Sequence, residues 1–94
     1  MDLPPPRRRK TRLVDAHANA KPQGYSLTFV TDQWEWDVEV EADTFPRAKA
    51  TARTALEAVV REEAPELACV YILHQGLRIG VWDWVERRPY WTPL

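Results

Sequence analysis

Few side chains in this sequence are arranged as a catalytic or metal site requires. His17 and His74 stand apart, and neither lies in a recognisable motif. The single cysteine, Cys69, sits in an apolar run, where a thiol is expected to pack as a small hydrophobic side chain. The three glycines are scattered and form no phosphate-binding loop. We therefore expect no enzymatic activity, no cofactor and no metal ion.

Acidic side chains occupy every second position of one segment: Glu35, Asp37, Glu39 and Glu41. Two interpretations stand. Carboxylates on one strand face can bind a metal or act as an acid–base pair, or they can form a solvated surface that discourages association at a sheet edge. We favour the solvated surface, because a single strand face presents these groups side by side with no histidine or cysteine among them.

Basic side chains are concentrated near the N-terminus: Arg7, Arg8, Arg9, Lys10 and Arg12. Residues 1–24 hold six Lys and Arg against two Asp, whereas residues 25–94 hold seven against twelve Asp and Glu. The prolines and clustered charges predict a disordered basic arm over residues 1–24. It is either a salt-dependent contact to nucleic acid or an acidic partner, or a solubilising tail that rests on the acidic domain.

A single α+β domain is predicted over residues 25–94. Strict alternation of apolar and acidic residues over 34–42 predicts a half-buried strand, which pairs with a preceding strand through a turn at Asp32-Gln33. That turn places Phe29 opposite Trp36 and Leu27 opposite Val38. Tyr25 would then face Val40.

A helix and a second hairpin follow. Asp43 or Thr44 can cap a helix that runs to Glu63 or Ala64, where Pro65 ends it. Two apolar strands, 67–74 and 77–85, then join at a Gln75-Gly76 turn. The predicted fold is ββαββ: a four-stranded, mainly antiparallel sheet with one helix on one face.

The second hairpin has more apolar surface than one helix can cover. With a regular two-residue turn, the face away from the helix collects Leu67, Cys69, Tyr71, Leu73, Arg78, Gly80, Trp82 and Trp84, of which Tyr71, Arg78, Trp82 and Trp84 are the candidates for binding a partner. The C-terminal Tyr90 and Trp91 are expected to lie against the domain. Three candidates could pack on this face: the chain's own C-terminal tail, a second copy of the chain in a homodimer, or another protein. Single-stranded nucleic acid stacking on the rings is a less favoured fourth.

The helix start resembles HicB-like antitoxins. The stretch Asp43-Thr44-Phe45-Pro46-Arg47-Ala48, continued by Ala52, Ala55 and Leu56, is similar to the D-T-x-x-x-A-x-x-x-A-x-x-A-I stretch of that family, and Tyr25-Ser26-Leu27 resembles its strand start. The resemblance implies a small sheet-plus-helix domain that binds and neutralises a protein. The family's Pro-Asp-Leu-Pro-Gly segment and DNA-binding helix pair are absent, so no functional residue is transferred.

These observations favour a small non-catalytic protein-binding regulator, such as an antitoxin-like inhibitor or a phage-type host-modulating factor. The expected partner is another protein or a second copy of the chain, and the alternative is a nucleic-acid binder that uses the arm and the aromatic rings. The lone thiol and the lack of a long apolar run favour a cytoplasmic protein without membrane contact.

Overall fold

The computed structural model describes residues 24–94, so the predicted arm, apart from Gly24, lies outside the described residues. The strands and the helix are β1 Tyr25–Thr31, β2 Glu35–Val40, α1 Phe45–Glu63, β3 Ala68–His74, β4 Leu77–Val85 and β5 Arg88–Pro93. The sheet has the order β2-β1-β3-β4-β5, and every neighbouring pair is antiparallel. The α+β class with one helix is confirmed, whereas the prediction of four strands is wrong, since the described sheet has five.

The first hairpin has the predicted register. Phe29 pairs with Trp36, and Leu27 pairs with Val38. The turn contains no glycine, and the hydroxyl of Thr31 stabilises it instead by accepting hydrogen bonds from the N–H groups of Gln33 (3.0 Å) and Trp34 (2.8 Å). A short polar side chain that bonds nearby backbone in this way replaces the usual Asn-Gly turn signal.

Helix α1 begins and ends where its sequence signals predict. Thr44 has an extended backbone and its side chain accepts from the N–H of Arg47, while Ala64 ends the helix in the left-handed conformation. The residues of the helix that are fully buried are Ala48, Ala52 and Leu56. Small alanine side chains allow the helix axis to lie close to the sheet, so that large side chains from the strands fill the remaining space.

The core lies between α1 and one face of the sheet, which we call the helix face. Its buried side chains from the central strands include Leu27, Phe29, Val70 and Ile72. Towards the β2 edge, Trp36 stacks on Phe29 with ring centroids 5.0 Å apart. Burial of these side chains is the main term that stabilises so small a domain.

The C-terminal segment forms strand β5, which the sequence analysis did not predict. It joins β4 through a two-residue turn, with Val85 paired to Arg88. Both turn residues have positive φ, 51° at Glu86 and 73° at Arg87. This is the geometry of the tight hairpin turns that favour Asn-Gly, but neither residue is Asn, Asp or Gly. The turn therefore carries no sequence signal, and β5 was not recognisable.

Gly80 in β4 makes room for β5. The ring of Trp91 lies over Gly80, and a Cβ atom built at this glycine would overlap the ring at Cη2 and Cζ2. Trp91 also packs on Trp82, its cross-strand neighbour, with centroids 5.2 Å apart. An aromatic ring over a bare strand glycine restores the packing that the glycine lacks.

We expect Gly80→Ala to lower the free energy of unfolding by about 2 kcal/mol, because the added methyl group displaces the Trp91 ring from a packed site. Urea denaturation measures the effect. The matched control is the same substitution in a Trp91→Ala background, where space is available and the loss should fall below about 0.5 kcal/mol. Equal losses in the two backgrounds would contradict the overlap.

We expect Arg87→Gly to raise the free energy of unfolding by about 0.5–1 kcal/mol, because a left-handed backbone is unfavourable for a residue with a Cβ. Thermal and urea unfolding both report the change. The control is Arg88→Gly one position later, where φ is not positive. There glycine only weakens the strand and should destabilise by about 1 kcal/mol. A destabilised Arg87→Gly variant would show that the turn is unstrained.

Candidate partner-binding face

An extra residue in β4 decides which side chains lie away from the helix. His74 pairs with Leu77 and Leu73 with Arg78, as a regular Gln75-Gly76 turn predicts. Beyond these pairs the register shifts by one, so that Ile72 faces Gly80 and Ile79 is the unpaired extra residue. Because side chains alternate between the two faces, one inserted residue transfers every later side chain of the strand to the other face.

The prediction that Trp82 and Trp84 lie on the face away from the helix is therefore wrong. Trp82 pairs with Val70 and is only 9% exposed. Its ring N–H donates a hydrogen bond of 2.9 Å to the carbonyl oxygen of Lys49 in α1. Trp84 packs against the core on the same face. The chain's own residues thus enclose Trp82, and the two indoles no longer support an outside partner.

Trp91 lies on the helix face as well. The ring centroids of Trp91 and Phe45 are 5.8 Å apart, and Nζ of Lys49 lies 4.4 Å from the centroid of the Trp91 ring. Arg53 stands 5.6 Å from the centroid of Trp82 in a similar cation–π contact. The tail therefore extends the sheet and covers the core beside the helix, rather than covering the opposite face.

We call the sheet face opposite α1 the open face. Of the predicted partner-binding residues, it holds Tyr71, Arg78 and Tyr90. The guanidinium carbon of Arg78 lies 4.0 Å from the Tyr71 ring centroid, which makes these two side chains a cation–π pair. Tyr90 is 45% exposed and pairs with Asp83 at the opposite side of the face.

The open face has a buried centre and an exposed end. We define the centre as Thr28, Leu73 and Val81, which are 3%, 2% and 7% exposed. We define the exposed end as Leu67, Val85, Arg88 and Tyr90. Of these, Leu67 is 67% exposed, Val85 is 44% exposed and Tyr90 is 45% exposed. Leu67 belongs to this end because it lies in the bend directly before β3, beside Val85 when the pairing of Cys69 with Asp83 is continued by two residues.

Sequence reasoning placed Leu67 on this face but assigned Val85 to neither face. Val85 lies at a strand end, and the assumed regular pairing drew attention to Trp82 and Trp84 instead. An isolated glycine inside a strand pattern is a recognised signal of a bulge, and Gly80 lies directly after the extra residue Ile79. That signal predicts a register shift near position 80, although not its direction.

The acidic side chains of β2 border the open face. Glu35, Asp37 and Glu39 pair with Val30, Thr28 and Ser26, so they alternate onto this face. The hydroxyl of Thr28 donates a 2.8 Å hydrogen bond to Asp37 Oδ1. Within residues 24–94, no group of three or more His, Cys, Asp and Glu is placed to hold a metal ion.

Cys69 lies on the open face beside charged neighbours. Burial, and to a smaller extent the carboxylate of its cross-strand neighbour Asp83, raise the pKa of its thiol from 9.0 to about 11. Tyr71 and Arg78 act in the opposite direction but more weakly. The interaction is mutual, because the charge on Cys69 is the largest cause of the raised pKa of Tyr71. A thiol held neutral in this way is a poor nucleophile and a poor metal ligand.

We expect Cys69 to react with iodoacetamide about 100-fold more slowly in the folded chain than in urea at pH 8, because two pKa units reduce the thiolate fraction by that factor. Asp83→Asn should accelerate the reaction of the folded chain. The folded-state pKa lies above the unfolded one, so this group's contribution to stability is full below pH 9 and is lost as the pH rises through about 11. Equal rates in folded and unfolded chains would contradict the shift.

No protein-family model, curated protein or solved structure matches this chain. The HicB-like resemblance of the β1 start and the α1 start stays a prediction. Within residues 24–94, no helix combines the length and the apolar composition needed to cross a bilayer. The basic arm residues Arg7, Arg8, Arg9, Lys10 and Arg12 lie outside the described residues.

Proposed function

We propose that this chain is a non-catalytic protein-binding regulator whose partner docks on the exposed end of the open face. The observation that carries the proposal is the grouping of Leu67, Val85 and Tyr90, all more than 40% exposed, on a sheet face that α1 does not cover. Exposed apolar side chains that lie together, rather than singly, are typical of interaction sites. An antitoxin-like inhibitor or a phage-type host-modulating factor is the form of regulator that we propose.

The register supports this grouping. Val85 pairs with Arg88, and Tyr90 is diagonal to Val85 on the neighbouring strand, within reach of an aromatic side chain. Tyrosine and arginine dominate the energetics of protein interfaces, where tyrosine supplies rigid contact area and arginine supplies directed hydrogen bonds. We therefore propose a partner that presents apolar side chains bordered by carboxylates, which would meet Arg88.

The two sheet edges favour docking on the face over strand addition. Pro89 and Pro93 in the edge strand β5 have no N–H group to donate to an added strand. At the other edge, the acidic side chains of β2 repel a second copy of the same strand. A partner therefore meets fewer obstacles at the open face than at either edge.

We expect a photo-crosslinking residue at position 90, such as p-benzoylphenylalanine in place of Tyr90, to form adducts with one partner protein in cells of the source organism. The control places the same residue at Val38, which is 41% exposed but lies on the helix face of edge strand β2. Mass spectrometry identifies the adducts. Adducts at position 90 no more abundant than those at position 38 would refute the proposal.

With the purified partner, Val85→Arg should weaken binding at least tenfold, because a charge placed in a buried apolar contact loses about 1.4 kcal/mol or more. Val38→Arg is the matched control, with the same residue type at nearly the same exposure, and should change the affinity less than twofold. Calorimetry measures both. If light scattering shows instead a dimer that Val85→Arg dissociates, the partner is a second copy and not another protein.

The alternative function, nucleic-acid binding, is favoured by one observation on the open face. The guanidinium of Arg78 lies over the Tyr71 ring, and single-stranded bases stack on planar guanidinium groups of this kind. The carboxylates of β2 oppose it. A labelled single-stranded oligonucleotide distinguishes the two functions, because its affinity should fall steeply with salt, whereas apolar docking at Val85 and Tyr90 should not.

A further inference from the structure

The turn between β4 and β5 holds an arginine in a backbone conformation that another turn of this sheet gives to a glycine. Gln75-Gly76 and Glu86-Arg87 are both two-residue turns with positive φ at both positions. The first positions are alike, since φ is 57° at Gln75 and 51° at Glu86. At the second position φ is 82° at Gly76 and 73° at Arg87. Arg87 is therefore the exception, because a residue with a Cβ is strained at such a φ.

The side chain of Arg87 contributes nothing to the packing or pairing of the described chain. Arg87 and its neighbour Arg88 are exposed, and within residues 24–94 neither side chain has a hydrogen bond, an ion pair or a ring contact. By contrast Arg78, which is also exposed, lies over the ring of Tyr71. A strained residue whose side chain is unused inside the fold indicates a function outside it.

Arg87 adjoins the exposed end of the open face. It directly precedes Arg88, which belongs to that end and pairs with Val85. The strand that follows is fixed on β4 by Trp91, whose ring lies over Gly80. A short turn between firmly packed strands therefore carries two neighbouring guanidinium groups beside exposed apolar side chains. Contacts made by such a rigid element lose less conformational entropy on binding than contacts made by a mobile loop.

Charge indicates which anion the two arginines bind. Guanidinium groups bind carboxylates and phosphates through paired hydrogen bonds, so either anion fits Arg87 and Arg88 by itself. Residues 25–94 hold seven Lys and Arg against twelve Asp and Glu, an excess of negative charge that repels a continuous phosphate backbone. A few carboxylates beside apolar side chains of a partner protein are repelled less. Such a surface also matches the exposed Val85 and Tyr90.

We propose that Arg87 is a specificity-determining residue of the partner site and that, together with Arg88, it binds a carboxylate of the partner protein. The inference rests on the proposed function and adds to it a turn residue and the anion that this residue recognises. Glycine at position 87 would relieve the backbone but would remove the contact. Stability and binding should therefore change in opposite directions at this position.

Photo-crosslinking from position 90 in cells of the source organism measures the effect on binding. In that background, Arg87→Gly should lower the yield of partner adducts per molecule of chain about fivefold, because a charge-assisted contact is lost. The same substitution should raise the resistance of the chain to urea. Glu86→Gly is the matched control, since it relieves the same kind of strain in the same turn but removes no cation. It should not lower the yield.

Carbodiimide cross-linking in an extract of the same cells identifies the anion. Arg87→Lys keeps the positive charge and introduces an amine, which the reagent joins to a carboxylate in contact with it. We expect the protein captured from position 90 to become linked through position 87 to one of its own Asp or Glu residues. Arg61→Lys is the control, because Arg61 is also exposed and has no ion pair within the described chain but lies in the last turn of α1.

The possible results separate this inference from the proposed function. Adducts from position 90 that are undiminished by Arg87→Gly would overturn the inference and leave docking at Val85 and Tyr90 in place. Adducts from position 90 no more abundant than those from position 38 would overturn both. Carbodiimide links as frequent from position 61 as from position 87 would overturn the carboxylate contact. So would adducts that nuclease treatment removes, which would assign the anion to a phosphate, and links formed only between two copies of the chain.

Discussion

The extra residue in β4 determines how the aromatic side chains are divided between the two faces of the sheet. Ile79 has no partner in β3, and from Gly80 onwards the strand is shifted by one position. As a result Trp82 lies under α1 and donates its ring N–H to the helix backbone. The missing side chain of Gly80 leaves room for Trp91, which packs on Trp82 from β5. A bulge, a glycine and a fifth strand thus form one packing unit.

This unit also explains why α1 can be so rich in alanine. Ala48 and Ala52 are completely buried and provide little apolar volume themselves. The indoles of Trp82 and Trp91 and the ring of Phe29 supply that volume from the sheet. Small residues on the helix and large ones on the strands interdigitate at native density. The aliphatic parts and charges of Lys49 and Arg53 then close the edge of the core over the indole rings.

On the opposite face, the same register leaves a different surface. Its centre is buried and holds Leu73, Val81 and the polar Thr28, its β2 side is acidic, and its far end exposes Val85 and Tyr90. The one cysteine of the chain lies between these regions with a raised pKa, so it takes part as a packing residue rather than as a nucleophile. This is the face on which we propose that a partner docks, and that proposal requires no nucleophile.

The sequence by itself determined every element whose signal is local. The period-2 pattern defined the β1–β2 register, the cap signal at Asp43 or Thr44 and Pro65 bounded α1, and Gln75-Gly76 located the turn between β3 and β4. Only the tertiary structure decided the bulge at Ile79, the face on which Trp82 lies and the existence of β5. These features depend on packing between residues distant in the chain, and a turn such as Glu86-Arg87 forms because β5 gains contacts with β4, against its own local preference.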